Sequence, residues 1–254
     1  MSRYKKPLAL RPSPGVAVPE TAMVMAAGLG KRMRPLTASR PKPLIEVAGK
    51  PLIDHAIDRL RAAGVKKAVV NVHYLADAIE AHLKKRVSGI EIVISDERQQ
   101  LLETGGGIVK ALPEIDADPF IAVNADNLWI DGPVDALKLL AASWNDDKMD
   151  ALLLLVPLAR ANCHLGRGDF HMSATGKLRR RRPGGVAPFV YTGIQMVSKR
   201  LIEGAPPEGP FSTNILWDRA IEAERCYGTV HQGLWFDVGQ PASIKQAEEL
   251  LATV

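Results

Sequence analysis

Four short apolar runs alternate with stretches of helical spacing in the first half of the chain, and this alternation limits its possible folds more than any other feature. Three are TAMVMAA from Thr21, Ala68 to Val72 and FIAVN at 120 to 124, and the fourth, Ile90 to Ile94, alternates like a further strand. Between the first two, Leu52, Ile53, Ala56, Ile57 and Leu60 recur at helical intervals, which puts them on one face. Leu75, Ile79 and Leu83 repeat that spacing after the second run, and a further helix is expected from about Thr104 to Leu112. Strands that alternate with helices pair in parallel and are buried on both faces, so they read as continuous apolar runs. The expected architecture is α/β, with a doubly wound, mostly parallel sheet.

The second half is less regular. Apolar strands are expected at 151 to 156 and from Phe189 to Val197, on either side of a glycine- and arginine-rich stretch at 166 to 185. A smaller mixed lid over the first half is the expected result. A helix from about Asn214 to Glu224, a strand and turn through WFDVGQP and a helix from Pro241 to Leu251 close the chain, with Pro241 suited to a first helical turn. Residues 1 to 20 carry prolines at 7, 12, 14 and 19 among scattered basic residues, a composition expected to give a mobile arm. That leaves 21 to 254 as one domain.

Composition excludes several functional classes. Two cysteines, Cys163 and Cys226, are too few for a disulfide framework and fit a reducing, cytoplasmic setting. The longest apolar run, Ala151 to Pro157, is too short to span a bilayer, so no membrane partner is expected. A net charge of +5 attracts phosphates on any carrier, but the basic run of Lys177, Arg179, Arg180, Arg181 and Arg182 lacks the interleaved aromatics of a nucleic-acid module. No nucleic-acid partner is expected. The histidines show no HExxH spacing, and no GxSxG elbow is present.

Residues suited to phosphate chemistry stand where strands end. In Ala26–Leu44, AAGLGKRMRPLTASRPKPL, Gly28 and Gly30 follow a strand directly and let backbone N–H groups approach a ligand without a Cβ in the way. Lys31, Arg32 and Arg34 follow, and Lys42 stands between two prolines that stiffen its backbone. Taken alone, GLG is equally a tight turn, and GLGKRM lacks the third glycine of a dinucleotide fingerprint. Glu103 to Gly107 would open a helix, where an acidic residue is favoured by the dipole whatever else it does. Asp126 in VNADN falls at the carboxyl end of an apolar strand, as a ligand residue or as a turn residue, and Asp237 in DVG has the same two readings.

Together and in this order, the four segments resemble the signature of the sugar 1-phosphate nucleotidylyltransferases, from about Thr21 onward. The resemblance implies a Rossmann-like nucleotide-diphospho-sugar transferase fold and transfer of a nucleotidyl group with release of pyrophosphate. It makes Arg32 and Lys42 catalytic groups on the triphosphate, and Ala26, Ala27, Gly28, Gly30, Lys31, Glu103, Gly105 and Gly106 the nucleotide pocket, with the two glycines of α-helix entry leaving room for a planar base. Asp126 and Asp237 become ligands of Mg²⁺, which takes a few carboxylates plus waters and phosphate oxygens. The family has a glycine where Ala125 stands. Arg181, Arg182 and Pro183 occupy the place of its sugar-binding Glu-Lys-Pro, and Tyr191, Thr192 and Gly193 fall in its sugar-contact region, where a core strand would read alike.

Within the family, LETGGG and the WFDVG ending are most similar to the N-acetylmuramate 1-phosphate uridylyltransferases, so UTP and that sugar 1-phosphate are the expected partners. Its acceptor carries a lactyl carboxylate beside the phosphate, which an arginine could grip in a bidentate pair; Arg181 or Arg182 is the expected one. Mannose 1-phosphate guanylyl transfer and glucose 1-phosphate uridylyl or thymidylyl transfer are the rival chemistries. A silent nucleotide-sugar sensor is the rival from another class, and the joint presence of Arg32, Lys42, Asp126 and Asp237 weighs against it.

Overall fold

The computed structural model describes residues 16–206 and 208–253, so residues 1–15 of the expected arm lie outside the described residues. The chain enters through β1 (Thr21–Met25), a two-stranded ribbon of β2 (Glu46–Val47) and β3 (Lys50–Pro51), and α1 (Leu52–Ala63). It continues through β4 (Lys67–Val72), α2 (Ala76–Arg86), β5 (Glu91–Asp96), α3 (Glu103–Ala111), β6 (Phe120–Asn124), β7 (Leu128–Ile130), α4 (Ala136–Ser143) and β8 (Ala151–Pro157). The remaining elements are β9 (Ala161–Asn162), β10 (Phe170–Met172), β11 (Leu178–Arg180), β12 (Phe189–Val197), α5 (Thr213–Glu222), β13 (Cys226–Val230), β14 (Leu234–Phe236) and α6 (Pro241–Leu251).

Nine strands form the main sheet, in the order β11-β10-β12-β6-β1-β4-β5, with β8 paired to β12 and β13 paired to β8. The strands β6, β1, β4 and β5 run parallel. Strand β12 joins them antiparallel, through Ile194 opposite Val123, so the second half of the chain extends the same sheet. Both faces are buried, and alternate residues divide between two cores. Ala22 and Val24 of β1, and Ile121 and Val123 of β6, meet α1, α2 and α4 on one side. Met23, Phe120 and Ala122 meet α3 and α5 on the other. This two-sided burial is why these strands read as unbroken apolar runs. Val18, just ahead of β1, also packs in the first core.

The helices end where sequence chemistry stops them. Gly64 terminates α1 in the left-handed region at φ 105°, a conformation that is costly for any residue with a Cβ. Asp135 caps α4 by accepting from the N–H groups of Leu137 and Lys138. On the other face, α3 packs against the entry to α5. A Cβ on Gly106 would stand 2.4 Å from the Gly209 carbonyl oxygen, a backbone atom that cannot rotate away. Gly106→Ala is therefore expected to destabilise the protein by about 1–3 kcal/mol, read as a lower Tm, and an unchanged Tm would show that this contact has slack.

Two histidines are expected to make the stability depend on pH. His231 is buried, and its Nε2 lies 3.1 and 3.2 Å from the Leu234 and Ile130 carbonyl oxygens, so that nitrogen carries the proton and donates. Burial pulls its pKa below the usual 6.5, and burial does the same to His55. Below 6.5 the unfolded chain takes up protons that the folded form resists, so their contribution is complete above that pH and is lost as pH falls through the lowered folded values. Tm should drop between pH 7.5 and 5.5, and less steeply in His231→Gln; an equal drop in both proteins would clear His231 of the effect.

Candidate active site

Register brings the glycine loop and the acidic strand end to one edge. Met25, the last residue of β1, lies opposite both Asn71 and Asn124, so the segments after β1, β4 and β6 all leave the carboxyl edge of the parallel strands. A buried polar relay fixes the first of them. The Ala26 N–H donates to Asn71 Oδ1 at 2.7 Å, Asn71 Nδ2 donates to Glu97 Oε1 at 2.7 Å, and the Leu102 N–H donates to Glu97 Oε2 at 3.0 Å. Gly107 makes the relay possible, since a Cβ there would stand 2.8 Å from both Asn71 Nδ2 and Glu97 Oε1. The loop after β1 and the start of α3 are thereby held on opposite walls of one cleft.

That cleft has a volume of about 500 Å³. Ala26, Ala27, Gly28, Gly30, Lys31 and Arg32 line one wall, Glu103 and Thr104 the other, with Lys42 and Asp126 between them. Gly30 adopts φ 60° and turns the chain into a short 3-10 helix over Lys31–Met33, while the Thr37 hydroxyl donates to its carbonyl at 2.9 Å. Gly105 and Gly106 stand apart. The spaces their side chains would fill are taken by the Phe211 ring and the Gly209 carbonyl, and both N–H groups donate to the Phe211 carbonyl, so their close approach is to the protein's own chain.

A three-stranded sheet of β7, β14 and β9 assembles the acidic part. Antiparallel pairing of Phe236 with Leu128 makes Asp237, just after β14, and Asp126, just before β7, leave the same end. Parallel pairing with β9 brings in His164, whose Nδ1 lies 2.9 Å from Asp237 Oδ2. Lys42 Nζ donates to Asp126 Oδ2 at 2.5 Å. Burial pushes the Asp237 carboxyl upward, but the His164 hydrogen bond and charge, with the nearby Lys42 and Arg32 cations, outweigh it and hold the group below its ordinary value. Gly239 lets these charges crowd together: a Cβ there would meet Asp237 Oδ1 at 2.9 Å and Arg32 Nη1 at 3.4 Å.

Arg32, Lys42, Asp126 and Asp237 all line one recess of about 160 Å³ beside the main cleft. Tyr191, Thr192 and Gly193 form its opposite wall. Gly193, at φ 80°, lets the side chains of Asn124 and Asn127 pass within 2.7 Å of where a Cβ would be, and Trp235 Nε1 ties the wall together by donating to the Thr192 carbonyl at 3.0 Å. Arg181 and Arg182 line neither space. The Arg181 guanidinium donates to the carbonyls of Gly168 and Gly185, and it is Arg180 whose side chain lines an adjoining recess. Asn71, Glu97, His164 and Asp169 are participants that the sequence motifs do not mark.

The nucleotidyl transferase family profile matches residues 21–163. The chain belongs to that family. It is 48% identical over 237 residues to the N-acetylmuramate alpha-1-phosphate uridylyltransferase of Caulobacter vibrioides, covering 92% of this chain and 98% of the relative. To the enzyme of the same name from Neisseria meningitidis serogroup B it is 35% identical over 230 residues, 90% of this chain and 97% of that one. Among solved structures, the inositol-1-phosphate CTP transferase from T. maritima superposes with a TM-score of 0.74 at 18% identity, covering 92% of this chain and 96% of that one. The UTP-bound UGPase from Acinetobacter baumannii gives 0.73 at 17%, covering 92% and 93%. These last two establish the fold of a nucleotidyl transferase: an α/β sheet with helices on both faces.

The donors of this nucleotidyl transferase suit a hard cation. Asp126 and Asp237 each engage Oδ2, with Lys42 and His164 respectively, and each has Oδ1 free of hydrogen bonds among the described residues. Two carboxylates lining one polar recess suit Mg²⁺, which fills its other positions with water and phosphate oxygens. No group of three or more His, Cys, Asp or Glu side chains able to hold a metal occurs among the described residues.

Proposed function

We propose that this chain transfers the uridylyl group of UTP to N-acetylmuramate 1-phosphate, with Mg²⁺, and releases pyrophosphate. One observation supports this above others: Arg32, Lys42, Asp126 and Asp237, from three separate segments, line a single recess in a chain 48% identical to a uridylyltransferase of that name along almost its whole length. The 500 Å³ cleft then receives the nucleotide between the glycine loop and Glu103, and the adjoining recess receives the sugar against Tyr191, Thr192 and Gly193.

A sugar phosphate is largely dianionic near neutral pH, its second pKa being about 6, so its oxygen attacks without a general base. An O–P bond forms at the α-phosphorus, the bond to the bridging oxygen breaks, and pyrophosphate leaves with that electron pair. Arg32 and Lys42 offset the negative charge and hold the reacting groups in line, which is most of what this chemistry requires of a protein. Asp126 and Asp237 would hold Mg²⁺, which supplies further charge neutralisation on the phosphate oxygens.

The same reading places the protein in the cytoplasm, where the unbridged Cys163 and Cys226 stay reduced. No helix among the described residues is long and apolar enough to cross a membrane. Pyrophosphate release with UTP, CTP, GTP and dTTP, crossed against N-acetylmuramate, N-acetylglucosamine, glucose and mannose 1-phosphates, tests the assignment. UTP with N-acetylmuramate 1-phosphate should give the highest kcat/KM, and EDTA should abolish turnover. A preference for GTP with mannose 1-phosphate would overturn it.

A further inference from the structure

Next to the recess lined by Arg32, Lys42, Asp126 and Asp237 lies a second one of about 280 Å³, which shares Asn124, Asp169 and Tyr191 with it and Met25, Thr104 and Ser212 with the main cleft. Its far wall is β11 and the start of α5. There Arg180 is clamped from several sides. Its Nε donates to Asp218 Oδ1 at 2.7 Å, and its Nη2 donates to the carbonyl and side-chain oxygens of Asn214 at 3.2 and 3.0 Å. Its guanidinium carbon also sits 4.9 Å from the Phe170 ring centroid and 5.4 Å from that of Trp217. Nη1 alone makes no hydrogen bond among the described residues. A guanidinium held on one edge and stacked on two rings presents its remaining edge in one orientation, so an anion pairing with it loses little side-chain freedom.

A second group in the same recess lacks a partner. The Thr213 hydroxyl, on the first residue of α5, is buried without any hydrogen bond, and Thr213 lines this recess. A buried hydroxyl left unpaired costs free energy that a ligand oxygen would recover. The amino end of the ten-residue α5 adds partial positive charge at this point. Asp169 is the one carboxylate lining the recess, and one of its oxygens is held by the Tyr191 N–H at 2.9 Å. An anion entering beside it needs a fixed cation, and Arg180 is the cation available there.

We propose that Arg180 and Thr213 form a carboxylate-recognition subsite that selects an acceptor sugar bearing an acidic arm, an inference that rests on the transfer to N-acetylmuramate 1-phosphate argued above. Arg180 Nη1 grips the lactyl carboxylate and the Thr213 hydroxyl donates to its second oxygen, while the sugar 1-phosphate faces Arg32 and Lys42. Arg181, tied to two backbone carbonyls, holds the loop that carries Gly168 and Asp169.

The test compares kcat/KM for N-acetylmuramate 1-phosphate, its lactyl amide and N-acetylglucosamine 1-phosphate in wild type, Arg180→Gln, Arg181→Gln and Thr213→Val. In wild type the acidic sugar should be favoured over both uncharged ones. Arg180→Gln should shrink that preference by about ten-fold or more, and Thr213→Val should shrink it by a few-fold. Loss of the guanidinium and loss of the carboxylate should not add, because both remove the same contact. Equal losses on all three sugars would overturn the subsite and make Arg180 a packing residue, as would an undiminished preference or one lost in Arg181→Gln instead. Wild type that ignores the lactyl group, or that makes no pyrophosphate from UTP, would instead defeat the acceptor or the reaction itself.

Discussion

Asp237→Asn is expected to lower kcat at least about a hundred-fold while the fold survives. Losing the outer partners of a metal ligand typically costs ten- to a hundred-fold, so losing a ligating charge should cost at least the upper end of that range. An amide has nearly the same shape, and its oxygen still accepts from His164, so the packing of β14 against β9 is kept. Asp126→Asn should be equally damaging to turnover but different in stability. Asp126 is the partner of Lys42, whose side chain is only 13% exposed, and the amide leaves that ammonium without its counter-charge. Its Tm should therefore fall further than that of Asp237→Asn. The measurement is kcat at saturating UTP over a magnesium titration, with Tm recorded alongside. Near wild-type kcat at ordinary magnesium in either variant would remove that carboxylate from the metal site.

The parallel half of the fold was legible because its signal is local. Two-sided burial writes β1, β4 and β6 as apolar runs, and α1 shows its buried face in Leu52, Ile53, Ala56, Ile57 and Leu60. The helix α4 escaped notice although Asp135 caps it, because its eight residues, ALKLLAAS, give too few turns for a period to stand out. Strand β13 was also missed: Gly228 interrupts CYGTV, and its lack of a side chain answers to Leu155 on the neighbouring strand, 2.6 Å from where a Cβ would be. At the site, motif residues were visible by type, whereas the relay from Ala26 through Asn71 to Glu97 was not. Asn71 interrupts the apolar stretch Ala68–Val72, and only the register of β1 on β4 reveals what it bonds. The arginine run shows the limit most plainly. Alternation along β11 and the turn after it sends Arg180 toward Trp217 and Arg181 back onto backbone carbonyls, a division set by pairing with β10.

Arg32→Ala is expected to reduce kcat by roughly a hundred- to a thousand-fold, the usual cost of removing one preorganised donor from a developing negative charge. KM for UTP should rise by a much smaller factor. The ground-state triphosphate already has Lys31, Lys42 and the loop N–H groups lining its cleft, whereas charge builds on the departing pyrophosphate only as the bond breaks. Arg32 also stands beside Asp237, where Gly239 leaves room for both, so on the proposed reading its guanidinium would bear on the same phosphates as a cation held by that carboxylate. Arg32 is exposed in the free protein, and its removal should leave Tm nearly unchanged, which separates this variant from one that merely unfolds. Arg32→Lys keeps the charge and loses the planar fork, so it should recover only part of kcat if two phosphate oxygens are gripped at once. Steady-state kcat and KM with a pyrophosphate readout decide between the two roles. A change confined to KM would make Arg32 a binding residue, and full recovery in Arg32→Lys would reduce its part to charge alone.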